Sequence, residues 1–493
     1  MAQIRSLAEL GLTAQGGRQA RVSAITSDSR AVRDGALFAA LPGTLVHGAR
    51  FIPAALEAGA SAILTDAAGA RLAADALAGA DAALVLAEDP RQTLAYAAAL
   101  WFGAQPETMV AVTGTNGKTS VATFTRQIWE ALGLDAVNLG TTGVEGAISA
   151  AMTHTTPDPV TLHRLLARCV REGVTHAAME ASSHGLDQRR LDGVRLRAAA
   201  FTNITQDHLD YHPDFAAYLD AKAGLFARVL PEDGVAVVNI DDPNGTHMAG
   251  IAAARGHDLI TVGRRAGADL HITGQRFDAT GQVLRFDWED RSHQVRLDLI
   301  GGFQAENVAL AAALAIAAGA EADRVIAALP GMVTVRGRMQ LAATRHTGAA
   351  VFVDYAHTPD AVATALRALR PHVMGRLTAI IGAGGDRDRG KRPLMGQAAA
   401  QFADAVIVTD DNPRSEDPAT IRAAVRAGCP GAAEVADRAE AILRGVDTLG
   451  PGDALLICGK GHETGQVVGT DVLPFDDAEQ ASLAVSVLDG GVA

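Results

Sequence analysis

The chain has 493 residues, of which 48% are hydrophobic and 20% charged, and its formal net charge is −13. A chain of this length is too long for one hydrophobic core, so we expect about two to four domains. The negative charge and the aromatic content of only 4% argue against a nucleic-acid partner. A polyanion requires a basic surface, and single strands require aromatic stacking platforms.

Cysteine content and hydrophobicity indicate the compartment. The cysteines are odd in number and show no C-x-x-C spacing: Cys169, Cys429 and Cys458. They fit a reducing compartment and predict neither a disulfide framework nor a zinc site. Arg5 and Glu9 interrupt any apolar signal segment at the N-terminus. The most apolar stretch, 308–320, is too short to span a bilayer and predicts a buried helix. We therefore expect a cytoplasmic protein without a transmembrane segment.

Short apolar runs followed directly by polar, often glycine-containing segments recur along the chain. Their alternation with Ala/Leu-rich helical stretches predicts an α/β fold with mainly parallel sheets. Ligands of such sheets bind beyond the carboxyl ends of the strands. Ordinary loops explain any one of these junctions but not the whole set. The seven runs are 108–113, 198–204, 235–240, 349–353, 377–381, 405–409 and 454–458.

The runs fall into two groups, which predict two sheets with a boundary near Gly331. The first hundred residues form a third, smaller α/β unit, and the segment 101–106 with its glycine and proline is the expected linker after it. The strands predicted in the small unit are 36–41, 61–64 and 83–86. The predicted domains are 1–104, 105–331 and 332–493.

The segment Gly114-Thr-Asn-Gly-Lys-Thr119 follows the first run and precedes a predicted helix. Backbone N–H groups of such a loop, together with the positive end of the helix, bind phosphate oxygens. We expect Lys118 to reach the β- and γ-phosphates and the Thr119 hydroxyl to hold Mg²⁺. The general pattern has a further glycine where this chain has Val112. The strand, loop and helix order otherwise agrees, and it predicts a nucleoside triphosphate site.

Three other side chains are candidates for metal or charge chemistry. Glu180 follows an apolar run and is either a metal-binding acid or a solvated loop carboxylate. His208 can ligate Mg²⁺, although a lone histidine is more often structural. Lys222 shares the apolar stripe of a predicted helix with Phe215 and Phe226. An inward lysine must snorkel to solvent, pair, lose its charge or be modified, and the pattern alone favours snorkelling.

The phosphate loop, in the form Thr113-Gly-Thr-Asn-Gly-Lys-Thr-Ser120, resembles that of the Mur ligases and the folylpolyglutamate synthetases. Other segments narrow the resemblance to the MurE type of the Mur ligases. They occur in order in all three predicted domains, so the resemblance covers essentially the whole chain. These segments are Ser27-Asp-Ser-Arg30, Thr155-Thr-Pro157, Glu180-Ala-Ser-Ser-His-Gly-Leu186, Tyr218-Leu-Asp-Ala-Lys222, Asp354-Tyr-Ala-His-Thr-Pro359, Gly384-Gly-Asp-Arg-Asp388 and Gly459-Lys-Gly-His-Glu463.

The resemblance implies a UDP-binding N-terminal domain, a central ATPase domain and a C-terminal Rossmann-like domain that binds an amino acid. It also implies an ATP-dependent ligation in peptidoglycan precursor synthesis. The γ-phosphoryl group of ATP moves to the D-Glu γ-carboxylate of UDP-MurNAc-L-Ala-D-Glu, and meso-diaminopimelate attacks the acyl phosphate. The expected partners are these small molecules, and we expect a monomer.

The resemblance also assigns residues. Mg²⁺ is expected at Thr119, Glu180, His208 and Lys222. Lys222 is expected as N6-carboxylysine, which replaces the snorkelling interpretation. The expected catalytic residues are Lys118, Glu180, His208 and Lys222. ATP is expected at Gly114, Thr115, Asn116, Gly117, Lys118, Thr119 and Ser120, and at Asn307, Arg338, Asp354 and His357 when the C-terminal domain closes. The UDP-dipeptide is expected at Ser27, Arg30, Thr155, Thr156, Ser182, Gln188 and Arg190.

The segment Asp411-Asn-Pro-Arg414 resembles the diaminopimelate-recognition motif of the family. Diaminopimelate differs from lysine by one carboxylate at the far end, which suits the planar guanidinium of Arg414. Lysine leaves that guanidinium unpaired and brings an ammonium group towards it. The alternative is a turn with an exposed arginine. The full expected set for the amino acid is Arg387, Asp411, Asn412, Arg414, Gly459 and Glu463.

Four residues depart from the pattern of the family. Arg336 stands in place of a common proline, Gln304 of asparagine, Ala383 of cysteine and Gly465 of an aromatic residue. They concern the hinge and the adenine contacts rather than phosphate or metal ligands. Three alternatives stay open: a ligase that adds L-lysine, a folylpolyglutamate-synthetase-like ligase, and a non-catalytic nucleotide-binding homologue. Folylpolyglutamate synthetases lack the UDP-binding domain, so the region of Ser27 discriminates against the second.

Overall fold

The computed structural model describes residues 4–43, 46–207, 211–278 and 280–490. The chain folds into two compact units, Met1–Asp269 with Leu310–Ile326 and Leu270–Ala309 with Ala327–Ala493. His208 lies outside the described residues. Within those ranges, none of the helices combines the length and the apolar character needed to cross a membrane. The domain boundaries after residues 104 and 331 stay predictions.

The first unit begins with a short antiparallel pair, Arg5–Ser6 with Arg21–Val22, and continues with a small parallel sheet. Its strands follow the chain order: Ala24–Thr26, Ala36–Ala39, Ala62–Thr65 and Ala83–Leu86. The three predicted strands are confirmed, with small differences at their ends. The helices here are Ile52–Glu57, Ala67–Leu72, Ala74–Ala78 and Pro90–Phe102. The last helix includes Trp101, which is buried, and ends at Gly103 with φ +73°. The linker therefore begins two residues later than predicted.

A larger sheet follows in the same unit. Within this unit its strands follow the order Asp258–Gly263, Val235–Asn239, Ala198–Phe201, Thr108–Thr113, His176–Glu180, Ala136–Gly140 and Gly143–Gly146. All neighbours are parallel except the last pair. Strand Thr108–Thr113 therefore lies between strands that end at Glu180 and Phe201. The loops after these three strands meet at one edge of the sheet, where ligands of such folds bind.

Helices cover this sheet, and its strands are consequently continuous apolar runs. Met109, Ala111, Met179 and Phe201 are all buried in one core. The α-helices are Lys118–Ala131, Pro159–Arg171, Ser183–Asp187, Phe215–Gly224 and Gly245–Ala254, and a π-helical turn occupies Leu225–Val229. Burial on both faces explains why these strands were predictable from hydrophobicity alone.

The second unit contains a six-stranded sheet. Its order is Gln340–Thr344, Ala350–Asp354, Ala454–Cys458, Leu377–Ile381, Ala405–Val408 and Ala433–Glu434. Only the first pair is antiparallel. The α-helices that follow its strands are Pro359–Leu369, Lys391–Phe402, Pro418–Arg426, Arg438–Asp447 and Asp477–Leu488. The late strand Ala454–Cys458 inserts between two earlier ones, which brings the loops after Asp354, Ile381 and Cys458 to one edge.

The second unit also has antiparallel parts that were not predicted. They are the meander Leu270–Asp278, Gly281–Trp288 and Arg291–Leu297, and the hairpin Gly465–Val468 with Asp471–Pro474. The remaining helices are Gln304–Ala317 and Ala322–Ala328, most of whose residues belong to the first unit. The first of these confirms the predicted buried helix. In total, strands correspond to all seven apolar runs, and they lie in the two predicted groups.

Candidate active site

The phosphate loop has the backbone that its sequence predicts. Gly114 has φ +150° and Gly117, directly before helix Lys118–Ala131, has φ +87°. A Cβ added at Gly114 would overlap Thr202 Oγ1. Glycine is therefore required at this position both for conformation and for space.

A second loop holds the phosphate loop in place. The backbone N–H of Thr115 donates to Asn203 O at 2.8 Å, and that of Asn116 donates to Asn203 Oδ1 at 3.0 Å. Thr202 Oγ1 donates to Asn116 O at 2.6 Å. Both supporting residues follow strand Ala198–Phe201, next to the strand that leads into the phosphate loop. Neither Thr202 nor Asn203 was predicted as a site residue, because both lie within the run 198–204, the end of which is loop rather than strand.

Two lysines meet at the phosphate loop. Lys118 Nζ donates to Gly114 O and to Thr115 O, each at 2.9 Å. Lys222 Nζ donates to the same Gly114 O at 2.7 Å, and the residue is only 1% exposed. Burial, and next the positive charge of Lys118, holds the pKa of Lys222 well below its ordinary value, while Asp207 opposes the shift. Snorkelling is therefore wrong: the amine of Lys222 points into the protein.

Tyr218 supports both elements. It is fully buried, its ring lies 4.5 Å from Lys222 Nζ, and its hydroxyl is 2.9 Å from Thr115 Oγ1. Thr115 Oγ1 also donates to Thr205 O at 3.1 Å. Burial raises the pKa of the Tyr218 hydroxyl, which keeps it neutral. One side chain thus connects the phosphate loop with the helix that carries Lys222.

Glu180 ends the neighbouring strand and faces the start of the phosphate-loop helix. Its Oε1 accepts hydrogen bonds from Thr119 Oγ1 at 3.0 Å and from Thr141 N at 2.7 Å. The residue is 1% exposed, which excludes a solvated loop carboxylate. A Cβ at Gly140 would overlap this carboxylate. A buried carboxylate beside a hydroxyl is an oxygen-only donor pair, the type that suits Mg²⁺.

The segments after strands Ala136–Gly140, Gly143–Gly146 and His176–Glu180 come together near this pair. Thr141 Oγ1 lies 3.0 Å from Thr155 Oγ1, and Thr156 Oγ1 donates to Glu180 O at 2.8 Å. The backbone N–H of Ser182 donates to Thr156 Oγ1 at 3.0 Å. Three of the residues predicted for the UDP-dipeptide therefore lie within a few hydrogen bonds of Glu180.

Gln188 and Arg190 form a connected polar group. Arg190 Nη2 donates to Gln188 Oε1 at 2.7 Å, and Arg190 Nη1 donates to Thr156 O at 2.6 Å. Gln188 Nε2 donates to Tyr211 OH at 3.0 Å, and that hydroxyl donates to Asp187 Oδ2 at 2.6 Å. Burial lowers the pKa of Arg190 from its ordinary value. Such a half-buried guanidinium suits an anionic ligand.

The residue between them, Arg189, faces the small sheet. It has φ +60°, and its Nε donates to Asp89 Oδ2 at 2.8 Å. Asp89 also caps helix Pro90–Phe102 by accepting from Gln92 N at 3.0 Å. Nearby, Gln92 Nε2 donates to Asp192 Oδ2 at 2.9 Å. These bonds fix the turn that carries Gln188 and Arg190 to the N-terminal part of the unit.

Ser27 and Arg30, the other residues predicted for the UDP-dipeptide, follow strand Ala24–Thr26. Asp28 accepts from Arg30 Nε and Nη2, both at 2.9 Å, and from Arg30 N at 3.0 Å. The Arg30 side chain is 88% exposed. This short helical turn presents a hydroxyl and a guanidinium at the carboxyl end of the small sheet.

Predicted ATP-binding residues outside the phosphate loop lie in the second unit. Arg338 stacks on the Tyr355 ring at 4.7 Å, and Asp354 Oδ2 accepts from Met339 N at 2.7 Å. Burial raises the pKa of Asp354, against the effect of Arg338. His357 Nδ1 lies 2.7 Å from Tyr355 O. These side chains form one cluster at the end of strand Ala350–Asp354.

Asn307 lies in helix Gln304–Ala317, and its Nδ2 donates to Gln304 Oε1 at 3.0 Å. Gln304, which stands where the family commonly has asparagine, therefore orients the Asn307 amide. Arg336 forms an ion pair with Asp476, the N-cap of helix Asp477–Leu488. Ala383 is buried, and Gly465 pairs with Pro474 in the hairpin.

Two arginines predicted for the amino acid lie side by side in the second unit. A Cβ added at Gly384 would be 2.8 Å from Arg414 Nη1 and 3.6 Å from Arg387 Cγ. Arg414 Nη1 donates to Gly385 O at 2.8 Å, whereas Arg387 is exposed. The small size of Gly384 leaves space for both side chains.

An ion pair between buried Arg392 and partly exposed Glu416 anchors the loop that carries Arg387. Glu416 Oε1 accepts from Arg392 Nη2 at 2.8 Å and from Asp386 N at 2.7 Å. The hydrogen bond from Arg392 is the main cause that lowers the pKa of Glu416 to about 2. Asp386 also accepts from Ser415 Oγ at 2.6 Å. The loops after strands Leu377–Ile381 and Ala405–Val408 are thereby joined.

Asn412 connects this pair of arginines with an acidic side chain. Its Nδ2 donates to Glu463 Oε2 at 2.8 Å, and its Oδ1 accepts from Val467 N at 2.9 Å. Asp411 is buried beside Gly459, where a Cβ would overlap its carboxylate. Asp386, Asn412 and Arg414 have φ of +53°, +41° and +51°. A left-handed backbone is uncommon at non-glycine residues, and these three lie close together. They bring acidic and basic side chains to the carboxyl edge of the six-stranded sheet.

The comparison with known proteins identifies the family. Residues 21–101 match the description "Mur ligase family, catalytic domain", residues 112–315 "Mur ligase middle domain", and residues 337–461 "Mur ligase, glutamate ligase domain". A protein of Bradyrhizobium diazoefficiens named UDP-N-acetylmuramoyl-L-alanyl-D-glutamate--2,6-diaminopimelate ligase is 50% identical over 94% of this chain and 95% of its own length. The chain belongs to the Mur ligase family. The protein of the same name from Agrobacterium fabrum is 46% identical to this Mur ligase, over 98% of this chain and 96% of its own length.

A solved structure carrying that name is similar to this Mur ligase throughout. The two share 34% identity with a TM-score of 0.72, covering 98% of this chain and 99% of the other. The fold is therefore that of the three-domain Mur ligases, as the sequence predicted. A folylpolyglutamate-synthetase-like ligase is expected to have no UDP-binding domain at residues 21–101. The Mur ligase match there therefore argues against that alternative.

Proposed function

We propose that this Mur ligase joins meso-diaminopimelate to the D-Glu γ-carboxylate of UDP-MurNAc-L-Ala-D-Glu, with conversion of ATP to ADP and phosphate, as a cytoplasmic monomer. The observation that supports this proposal most directly is the arrangement of Arg414, Asn412 and Glu463. Asn412 bonds to Glu463 at 2.8 Å, and Arg414 lies two residues further along the same left-handed loop. This arrangement offers a cation and an anion to one ligand.

The far end of diaminopimelate carries both a carboxylate and an ammonium group. Arg414, with Arg387 beside it, suits the carboxylate, and Glu463 suits the ammonium. L-Lysine has only an ammonium group at that end, so it leaves Arg414 without an anion. Buried Asp411 adds a second negative charge near Gly459. Discrimination between the two amines thus has an attractive and a repulsive part.

In the first half-reaction an oxygen of the substrate carboxylate attacks the γ-phosphorus of ATP. A new O–P bond forms, and the bond between the γ-phosphorus and the β-phosphate oxygen breaks. ADP departs, and the substrate carboxylate has become an acyl phosphate. The N–H groups of the phosphate loop and the Lys118 ammonium bind the phosphate oxygens and offset their charge. The bonds from Asn203 and Tyr218 keep that loop in one geometry. These residues act by binding and orienting the reactants.

In the second half-reaction the neutral amine nitrogen of diaminopimelate attacks the acyl carbon. A C–N bond forms, the C–O bond to phosphate breaks, and the nitrogen loses a proton. Phosphate is a good leaving group, whereas the original carboxylate oxygen is a poor one, so phosphorylation divides one difficult step into two. The products are the amide, ADP and phosphate.

A Mg²⁺ ion fits the oxygen donors at the phosphate loop. Thr119, Glu180, Lys222 in carbamylated form and His208 would hold it, and it supplies positive charge that stabilises phosphoryl transfer. The short contact of 3.0 Å between Thr119 Oγ1 and Glu180 Oε1 supports the first two. His208 is proposed from its place in the sequence motif.

Carbamylation of Lys222 is supported by its surroundings. Two ammonium groups bound to the same Gly114 oxygen repel each other, and burial removes the water that would screen them. A neutral Lys222 amine can attack the carbon of CO₂, form an N–C bond and release a proton. The carbamate is an anion, so the same position then attracts both Lys118 and a divalent cation.

The substrate nucleotide and peptide are assigned to the first unit. The residues proposed for the dipeptide end lie near Glu180: Thr155, Thr156, Ser182, Gln188 and Arg190. This position suits the substrate carboxylate that receives the phosphoryl group. Ser27 and Arg30 at the small sheet suit the UDP end. Asn307, Arg338, Asp354 and His357 are proposed contacts of ATP.

The decisive experiment measures phosphate release with UDP-MurNAc-L-Ala-D-Glu, ATP and Mg²⁺. One arm contains meso-diaminopimelate and the other L-lysine at equal concentrations, and the amide product is identified by mass. We expect a strong preference for diaminopimelate. Equal rates, or a preference for lysine, would overturn the assignment of Arg414. Absence of release with either amine would favour a non-catalytic nucleotide-binding protein.

A further inference from the structure

Lys460 is among the most completely buried side chains of the second unit, with 0% exposure. It belongs to the segment Gly459-Lys-Gly-His-Glu463 directly after strand Ala454–Cys458. Its Nζ donates to Asn412 Oδ1 at 3.1 Å, to Gln466 Oε1 at 3.2 Å and to Glu463 Oε2 at 3.4 Å. It also donates to the carbonyl oxygen of Gly465. A buried cation of this kind requires such partners, since an unpaired one would be strongly unfavourable.

These bonds determine how the Asn412 amide is oriented. Because Oδ1 of Asn412 accepts from Lys460 and from Val467 N, its Nδ2 points towards Glu463. The same ammonium also contacts the Glu463 carboxylate directly. Lys460 thus acts on Glu463 twice, once by charge and once through the amide of Asn412.

The composition of the chain supports a specific requirement for lysine here. Only four of its 43 basic side chains are lysines, namely Lys118, Lys222, Lys391 and Lys460. The other 39 basic side chains are arginines. An ammonium has three rotatable donors around one nitrogen and can serve acceptors in several directions, whereas the guanidinium is a planar fork. The four acceptors around Lys460 Nζ belong to three side chains and one backbone carbonyl, which suits the ammonium.

We infer that Lys460 is a positioning residue for the amino-acid substrate, holding Asn412 and Glu463 so that Glu463 receives the ammonium group at the far end of the amine. The inference rests on the proposed function, because it takes the amino acid to bind at Arg414 and Glu463. It extends that proposal to a residue that lies behind the contact surface. Lys460 itself, being fully buried, has no place in direct contact with the substrate.

The test compares Lys460→Met with the wild type in the complete enzyme. Methionine keeps the unbranched four-atom stem of lysine but lacks the ammonium group, so it leaves Glu463 without its cation. We expect KM for meso-diaminopimelate to rise about tenfold or more, with KM for ATP and for the UDP-dipeptide changed less than about twofold. A purely structural role would instead move all three KM values together with the melting temperature.

Glu463→Gln supplies the coupled arm. In that background Lys460 no longer faces a full negative charge, so Lys460→Met should raise KM for diaminopimelate by a smaller factor than in the wild type. The matched control is Arg444→Met, which removes a cation from an exposed ion pair with Glu440 in the same unit. It should leave every KM unchanged.

The outcomes separate the two proposals. If the wild type does not use diaminopimelate, the proposed function fails. If the wild type uses it but Lys460→Met leaves its KM unchanged, or raises it equally in both backgrounds, the inference about Lys460 is overturned. If Lys460→Met does not fold, Gln466→Leu replaces it as the test variant. Gln466 is half-buried, and its Oε1 accepts hydrogen bonds from Lys460 Nζ and from Asn412 N, both of which the substitution removes. A rise of about two- to fivefold in KM for diaminopimelate alone supports the inference, and no rise rejects it.

Discussion

Lys118 and Lys222 donate to one oxygen, the carbonyl of Gly114, at 2.9 and 2.7 Å. Two lysines from separate helices therefore converge on a single atom of the phosphate loop. Burial of Lys222, and next the positive charge of Lys118, lowers the pKa of Lys222. A chemical change at Lys222 therefore alters the charge directly beneath the site that we assign to the ATP phosphates.

The first prediction concerns that lysine. Lys222→Ala should reduce turnover at least about a hundredfold, because it removes a proposed anionic ligand of Mg²⁺. Short carboxylates such as formate or acetate should restore part of the activity when titrated into the assay. Lys222→Arg is the control, since it preserves a cation and fills the space where an added carboxylate would bind. Activity of Lys222→Ala equal to that of the wild type would refute the carbamate proposal.

The second prediction concerns the choice of amine. Arg414→Met should lower kcat/KM for meso-diaminopimelate about a hundredfold, the loss expected for a charge-assisted pair with a carboxylate. The value for L-lysine should change far less, so the ratio between the two amines narrows. The experiment is a competition assay with both amines present. An equal loss for both would indicate that Arg414 supports the loop rather than selecting the substrate.

The third prediction concerns the ion pair between Asp89 and Arg189. Asp89→Asn weakens the tie to the turn that carries Gln188 and Arg190. We expect KM for UDP-MurNAc-L-Ala-D-Glu to rise roughly three- to tenfold, as for the loss of about 1 kcal/mol of a half-buried pair, with KM for ATP unchanged. Asp81→Asn is the control, because Asp81 is fully exposed in its ion pair with Arg18. Equal effects of the two substitutions would contradict the prediction.

The fourth prediction concerns stability at acid pH. His163 is 1% exposed in helix Pro159–Arg171, and burial, with a smaller effect of Arg195, lowers its pKa to about 4. The unfolded chain binds the proton more readily, with a pKa near 6.5. The folded state therefore keeps its full advantage above pH 6.5 and loses up to about 3 kcal/mol as the pH falls towards 4.

Denaturant unfolding between pH 4 and 7.5 measures this effect. His163→Leu has no proton to bind, so its free energy of unfolding should fall less steeply over that range than that of the wild type. His154→Gln, at an exposed position, should retain the slope of the wild type. Parallel curves for wild type and His163→Leu would show that other groups cause the acid sensitivity.

Hydrophobicity predicted the parallel strands well because they are covered on both faces, as at Met109 and Phe201. It did not predict the meander 270–297, in which apolar and charged residues alternate around one-sided burial. The phosphate loop was predictable because its chemistry requires glycine and lysine at fixed spacing. The proposed roles of Glu180 and Lys222 came from resemblance, and their burial is consistent with them.

Residues that act through others left almost no mark in the sequence. Asn203 supports the phosphate loop through its backbone and amide, and asparagine after a strand is ordinary. Asp89 reads as a helix cap, and its second bond to Arg189 depends on a turn a hundred residues away. Lys460 lies in the segment Gly459-Lys-Gly-His-Glu463, but its burial was not predictable from spacing. Such roles depend on tertiary contacts rather than on local pattern.

The left-handed residues of the amino-acid site limit how its selectivity can change. Asp386, Asn412 and Arg414 have positive φ, a conformation that glycine, asparagine and aspartate tolerate and that β-branched residues do not. A replacement at Arg414 must therefore fit the backbone before its side chain can meet a new amine. Most single substitutions will add strain to whatever they change in recognition. Redirecting this ligase to another amino acid thus calls for grafting the loops around residues 384–388 and 411–416 together.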